Sequence, residues 1–212
     1  MIVAIDGPAG AGKSTVAQRL AERLDFRYLD TGAMYRALTW LAIQRGLPLA
    51  DGARLGELAD ENPVEIDQQR RVRIAGTDVT ASIRKSDIDR MVPVVARQEP
   101  VRRVMRTRQR ELAEDGDVVI EGRDIGTVVA PDADVKVYLN ADRDIRARRR
   151  LAERPEIGAD ALATDLRTRD ESDRARMQPA EDADLIDTTA LEVDDVVTRI
   201  ETLIRSRSLA PQ

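Results

Sequence analysis

The 212-residue chain has no cysteine, no histidine, a single tryptophan and a single phenylalanine, and its only lysines are Lys13, Lys85 and Lys136. Without cysteine there is no disulfide framework, no thiolate metal site and no sulfur nucleophile. Without histidine there is no Ser-His-Asp triad and no imidazole base. An aromatic content of 2% leaves few platforms on which bases could stack, and a formal charge of −5 offers no general attraction for a polyanion. No nucleic-acid partner is therefore expected. No apolar run approaches the ~18 residues of a membrane span, and the N-terminus lacks the apolar stretch of a signal peptide. The chain reads as cytoplasmic, with no membrane partner and, in the absence of a long apolar stripe, as a monomer.

What is present first is an alternation. Short β-rich apolar runs at 2–5, 26–29, 118–121, 135–139 and 185–186 are separated by helical patterns at 15–24, 34–45, 101–114, 142–153 and 193–204. That order predicts an α/β fold with a parallel central sheet and helices on both faces. Two segments interrupt it. Residues 63–88 alternate polar and apolar side chains between turn residues, as in a small antiparallel insert. Residues 146–176 carry Arg146, Arg148, Arg149, Arg150, Arg154, Arg167, Arg169, Arg174 and Arg176. Taken singly, each reads as part of a solvated helix face paired with acidic neighbours. Taken together beside a nucleotide, they read as a helical lid that neutralises a phosphoryl group. Trp40, Tyr35 and the methionines read as core, and residues 205–212 as a frayed tail.

Residues 7–14 spell G-x-x-x-x-G-K-S: Gly7, Pro8, Ala9, Gly10, Ala11, Gly12, Lys13 and Ser14, followed by Thr15. The motif stands between a predicted strand and a predicted helix, which is the setting a phosphate loop needs. Its glycines let backbone N–H groups curl around phosphate oxygens, Lys13 reaches the β- and γ-phosphates, and Ser14 offers a hydroxyl to Mg²⁺. The helix N-terminus points its positive end at the same anion. ATP with Mg²⁺ is the expected ligand.

A phosphate loop does not by itself separate kinases from switch GTPases or motor ATPases. No lysine follows an asparagine, so the guanine signature N-K-x-D is missing. Further phosphate-capable groups follow other strands, where open α/β sheets hold ligands: Thr31 and Arg36 after the second, Glu121, Arg123 and Asp124 after the third. A kinase for another small acceptor, such as UMP or shikimate, and a nucleotide-dependent binding protein remain alternatives to be separated by assay.

The chain resembles the bacterial cytidylate kinases, nucleoside monophosphate kinases acting on CMP and dCMP. The matching pieces are I-D-G-P-A-G-A-G-K-S (5–14), L-D-T-G-A-M-Y-R (29–36), D-V-T-x-x-I-R (78–84), E-G-R-D-I-G-T-V-V-x-P-D-A (121–133), R-D-x-x-D-R-x-R (169–176) and D-T-T (187–189). The resemblance implies one three-layer P-loop kinase domain over 1–212. Its core would be 1–60, 98–145 and 177–205, with an insert at the acceptor side over about 61–97 and a lid over about 146–176. It implies that Gly7 to Thr15 bind ATP, that Ser14 holds Mg²⁺ and that Glu121 orients the metal's waters. Arg36, Arg123 and Arg176 would bind the acceptor phosphate, with Lys13, Arg123, Arg169 and Arg176 catalytic. Thr31, Arg102 and Asp124 would read cytosine, and Arg169 with Asp173 would contact the pentose. Arg148 and Arg154 would belong to the lid. Asp187 is expected to cap the last helix or a turn rather than touch the substrate. Two positions depart from the family: Thr31 stands where serine is common, and Pro93 where some members place a base-contacting serine.

A monophosphate's second ionisation lies near pH ~6, so the attacking oxygen is already anionic at neutral pH and the missing histidine is no obstacle.

Overall fold

A computed structural model describes residues 1–208 apart from Gln68, Glu156 and Ala175. Along the chain lie β1 (Ile2–Asp6), α1 (Lys13–Leu24), β2 (Arg27–Asp30), α2 (Thr31–Gln44), α3 (Gly52–Glu61), β3 (Glu65–Ile66), β4 (Val72–Ile74), β5 (Thr77–Asp78), α4 (Ser86–Ala96), α5 (Glu99–Glu114), β6 (Val118–Glu121), β7 (Val135–Asn140), α6 (Arg143–Glu153), α7 (Ala159–Asp173), β8 (Asp184–Asp187) and α8 (Val193–Ser208). A π-helical turn, Ile125–Val129, follows β6. The chain forms two compact units, 1–28 with 116–212 and 29–115.

The first unit carries the five-stranded sheet, in the order β2-β6-β1-β7-β8. Arg27 and Tyr28 are the part of β2 that belongs to this unit. β1 pairs in parallel with β6 and β7, and β7 with β8, which bears out the α/β expectation. β1 reads as a continuous apolar run because it lies at the centre of the sheet, with Val3, Ala4 and Ile5 fully buried. Val16, Ala17, Leu20 and Ala21 form the apolar stripe of α1 and meet Val196, Val197 and Ile200 of α8 over this sheet. Arg19 and Arg23 tie the same two helices through Asp194.

The second unit holds α2, α3, α4 and α5 with a three-stranded antiparallel sheet, β3-β4-β5. The expected insert, 61–97, lies wholly within it. Asp30 caps α2 by accepting from the Ala33 N–H at 2.8 Å, and Asp51 caps α3 through Arg54 N–H. Helices α3 and α5 approach closely where Gly56 faces Pro100; a Cβ there would stand 2.8 Å from the proline ring.

Three expectations need correction. The antiparallel reading of residues 63–88 extends too far: β5 ends at Asp78 and residues 86–96 form a helix, α4, with Pro93 inside it; the proline removes one helical N–H without stopping the helix. The tail does not fray at 205, because α8 continues to Ser208 with Arg207 bonded to Asp184 at 2.9 Å and to the Asp134 carbonyl at 3.1 Å; residues 209–212 of that expectation lie outside the described residues. The methionines are not uniformly core: Met34 and Met105 are buried, whereas Met91 is exposed.

Ile120 of β6 is fully buried, whereas Leu185 on the edge strand β8 is 68% exposed. Ile120→Ala should lower the free energy of urea unfolding by about 2–5 kcal/mol, and Leu185→Ala should change it by no more than about 0.5 kcal/mol.

Candidate active site

The phosphate loop bridges β1 and α1 at the C-terminal end of the sheet. Gly7 is required by proximity: a Cβ there would come within 2.1 Å of the Leu139 carbonyl oxygen on β7. Lys13 opens α1 and turns its ammonium back onto the Pro8 carbonyl at 2.9 Å. The helix has no side-chain cap and no acid in its first turn, so its leading N–H groups have no competing anion from that turn. Ser14 and Thr15 are exposed beside them. Thr188 closes the loop from behind, its hydroxyl within 3.1 Å of the Ala11 carbonyl and 3.0 Å of the Asn140 carbonyl. Arg149 donates to that hydroxyl at 2.9 Å and to the Thr188 carbonyl at 2.6 Å.

The next strand over supplies the cations' counterweight. Glu121 ends β6, buried, and accepts from the Tyr28 hydroxyl. Arg123 donates to the Gly7 carbonyl at 2.7 Å and pairs with Asp173 at 3.2 Å. Asp173, at the end of α7, also pairs with Arg176 at 2.7 Å. Asp124 is buried at the head of the π-helical turn; its side chain makes no capping bond, while its carbonyl accepts from Val128 and Val129. That turn is held by Asp6, whose two carboxylate oxygens each accept a backbone N–H, from Ile125 and Gly126, both at 2.8 Å. Burial pushes the Asp6 carboxyl up, and the two N–H bonds pull it back.

Lys13 feels this arrangement most. Burial is the main cause and lowers its ammonium from the ordinary 10.5 to about 7. Arg123 lowers it further, while Glu121, Asp6 and Asp173 act in the opposite sense. Burial likewise lowers Arg123, with Asp173 opposing it and Arg169 adding repulsion. Within the first unit, then, the structure brings Lys13, Glu121, Arg123 and Asp173 together beside the loop, with Arg176 paired to Asp173 and Arg169 on α7 close enough to repel Arg123. Arg154 is the C-terminal cap of α6, and Arg148 lies exposed on it.

In the second unit, Thr31 is the buried first residue of α2, and Arg36 pairs with Asp30 at 2.6 Å. Arg102 sits on α5, 3.9 Å from Glu99. Asp187 accepts from the Thr189 N–H at 2.8 Å, the turn-capping role expected of it.

Sequence reasoning assigned no individual role to Asp6, Arg146, Arg149 or Thr188, the two arginines having been read only as members of the lid cluster. Asp6 and Thr188 stood inside quoted motifs, so motif membership was a usable signal for them. For the two arginines there was none, since seven others in the same stretch look alike.

A chemical test for Mg²⁺ rests on these groups. Among the described residues no cluster of three or more Asp, Glu, His or Cys could hold a metal by itself. The Ser14 hydroxyl at the helix start is instead the partial ligand set suited to an ion that keeps several waters and takes nucleotide oxygens.

The family model for cytidylate kinase matches residues 3–206. The cytidylate kinase of Shouchella clausii is 45% identical over 97% of this chain and 96% of its own length. That of Bacillus subtilis is 42% identical over 97% of each chain. Among solved structures, a shikimate kinase from Bacteroides thetaiotaomicron aligns over 97% of this chain and 98% of that one, with a TM-score of 0.53 and 20% identity; this is a likeness of fold alone.

Because folding lowers the proton affinity of Lys13, the charged lysine costs stability. The cost is full below pH about 7 and is relieved as pH rises from there toward 10.5. Lys13→Met should therefore melt above the parent protein at pH 7 and below, each kcal/mol relieved raising the midpoint by about 2–4 °C. The gap should shrink toward pH 10.5, as followed by calorimetry in the absence of nucleotide.

Proposed function

We propose, from the premise that this chain belongs to the cytidylate kinase family, that it transfers the γ-phosphoryl group of ATP to CMP or dCMP, releasing ADP and CDP or dCDP. The observation that carries this is the family match across residues 3–206. The α/β P-loop fold and the cationic loop described above are what such a reaction requires.

In this reading Gly7, Pro8, Ala9, Gly10, Ala11, Gly12, Lys13, Ser14 and Thr15 bind the phosphates of ATP. Ser14 would hold Mg²⁺, with Glu121 orienting its waters. When bound, the ion neutralises charge on the β- and γ-phosphate oxygens. Arg123, Asp124, Arg169, Asp173 and Arg176 of the first unit are acceptor-binding residues, as are Thr31, Arg36 and Arg102 of the second. Arg148 and Arg154 serve the lid. No base is needed, since the acceptor phosphate is already dianionic above pH ~6. The protein's task is to align two anions and to spread the migrating charge over Lys13, Arg123 and Arg176. Guanidinium suits this because its planar fork grips phosphate through two donors. A triphosphate beside Lys13 restores its full protonation, so its low free-state proton affinity is no obstacle to catalysis.

The carboxylate of Asp124 would accept from the exocyclic amine of cytosine, a position where uracil presents a carbonyl. A buried acceptor facing another acceptor rejects the wrong base. Pro93, half-buried in α4, offers no hydroxyl to the base. Among the described residues no helix is long and apolar enough to cross a membrane. Large exposed apolar side chains among them are Ile43, Met91, Leu185 and Val193, on four different elements. The scatter of these side chains supports the reading of a monomer; the chain is read as cytoplasmic.

A coupled ADP-release assay with MgATP and CMP, dCMP, UMP, AMP or shikimate tests the assignment. Rapid turnover is expected with CMP and dCMP alone, lost on chelating Mg²⁺ and reduced at least about a hundredfold in Lys13→Ala. Equal, slow release with every acceptor would rule the kinase reading out. Asp124→Ala should lower kcat/KM for CMP by about a hundredfold or more and narrow its advantage over UMP.

A further inference from the structure

Arg146, on α6, is the arginine of its cluster that is buried, with 8% of its side chain exposed. Its guanidinium spans two structures. On one side Nη1 donates to the Ala9 carbonyl of the phosphate loop at 3.2 Å. On the other, Nη1 and Nη2 grip the two oxygens of Asp170 on α7 at 3.1 and 2.9 Å. Nε donates to the Ala141 carbonyl at 3.1 Å and fixes the plane of the group. The backbone is as tight as the side chain: a Cβ at Gly10 would stand 2.9 Å from the Arg146 carbonyl oxygen.

Arg123 repeats the pattern one helical turn further along α7. It joins the Gly7 carbonyl to Asp173 just as Arg146 joins the Ala9 carbonyl to Asp170. The phosphate loop and α7 are thus clasped twice, each time by an arginine holding a loop carbonyl and an α7 carboxylate. Of the two, the Arg146–Asp170 contact is the two-pronged one on a buried guanidinium and cannot slide; a shift of the loop either carries α7 with it or leaves that charge short of partners.

We infer that Arg146, with Asp170, is a positioning pair that couples occupancy of the phosphate loop to the placement of α7, and so of Arg169 and Asp173. The inference rests on the reading of α7 as part of the acceptor site. Filling the loop with a triphosphate fixes the Ala9 carbonyl, the clasp fixes Asp170, and the helix presents its acceptor-binding residues in one position. The guanidinium is engaged by Ala9, Asp170 and Ala141, so the pair acts through α7 and not on a phosphate. Its effect is energetic coupling between two ligands, which is reciprocal by necessity.

The test is calorimetric titration of CMP into the full-length protein, with and without saturating Mg²⁺ and the β,γ-imido analogue of ATP. In the parent protein the analogue should tighten CMP at least about fivefold. In Arg146→Lys and in Asp170→Asn that ratio should fall to within about twofold, and the double variant should fall no further, because both substitutions open one clasp. A merely structural role would lower the melting temperature and leave the ratio in place. Should Arg146→Lys fail to fold, Asp170→Asn carries the test alone. Retention of the parental ratio in Asp170→Asn, or a parent protein that turns over CMP without any such ratio, overturns the inference while sparing the kinase assignment. A parent protein that binds no CMP under either condition removes that assignment and the inference with it.

Discussion

Two cations, Lys13 and Arg123, are held close together in the first unit, and the hydration each loses there is the constraint around which the site is arranged. Each is disfavoured by burial, and Arg123 lowers Lys13 further. Asp6, Glu121 and Asp173 offset the charge on Lys13 without cancelling the site's appetite for an anion. Where hydration is reduced, attraction between opposite charges is worth more than on an exposed surface, and in the proposed reaction the same cations would stabilise the charge that migrates during transfer.

The sheet makes that concentration of charge possible by fixing three strand ends side by side. β1 ends at Asp6, paired in register with Tyr138 of β7, while its neighbour Ile5 is in register with Glu121 of β6. Gly7 can then pass beneath the Leu139 carbonyl, and Asp6 can hold the π-helical turn that follows Arg123 and Asp124. Below these ends lies the apolar layer of β1, β7, α1 and α8. It contributes stability, and it also holds the strand ends stiffly enough to fix hydrogen bonds of under 3 Å there. Lys136 shows the economy of the layer: its stem covers Gly126 and its ammonium reaches Asp182.

Much of this was legible in the sequence where the signal was local. The phosphate loop is spelled by consecutive residues, and the small sheet of the second unit by alternation around tight turns. Helix α4 was not legible, because Pro93 argues against a helix and only the buried Ile88, Asp89 and Val95 side of it supplies the compensating packing. The end of α8 was missed for a similar reason: Arg207 reads as a tail residue until Asp184, on another element, is seen beside it. Within the arginine-rich stretch, Arg146 and Arg148 are chemically identical and two positions apart, yet one is buried in a four-bond clasp and the other is exposed.

The sequence by itself determined the fold class, the phosphate loop and the family, since each is carried by contiguous residues whose backbone preferences and motif order need no partner to be read. Only the tertiary structure decided which carboxylate answers which arginine. Arg123 meets the Gly7 carbonyl across 116 positions and Arg146 meets Ala9 across 137. Separations of that length are set by how strands order themselves in the sheet and where helices cross it, and any one of nine arginines could have met any nearby acid until packing chose.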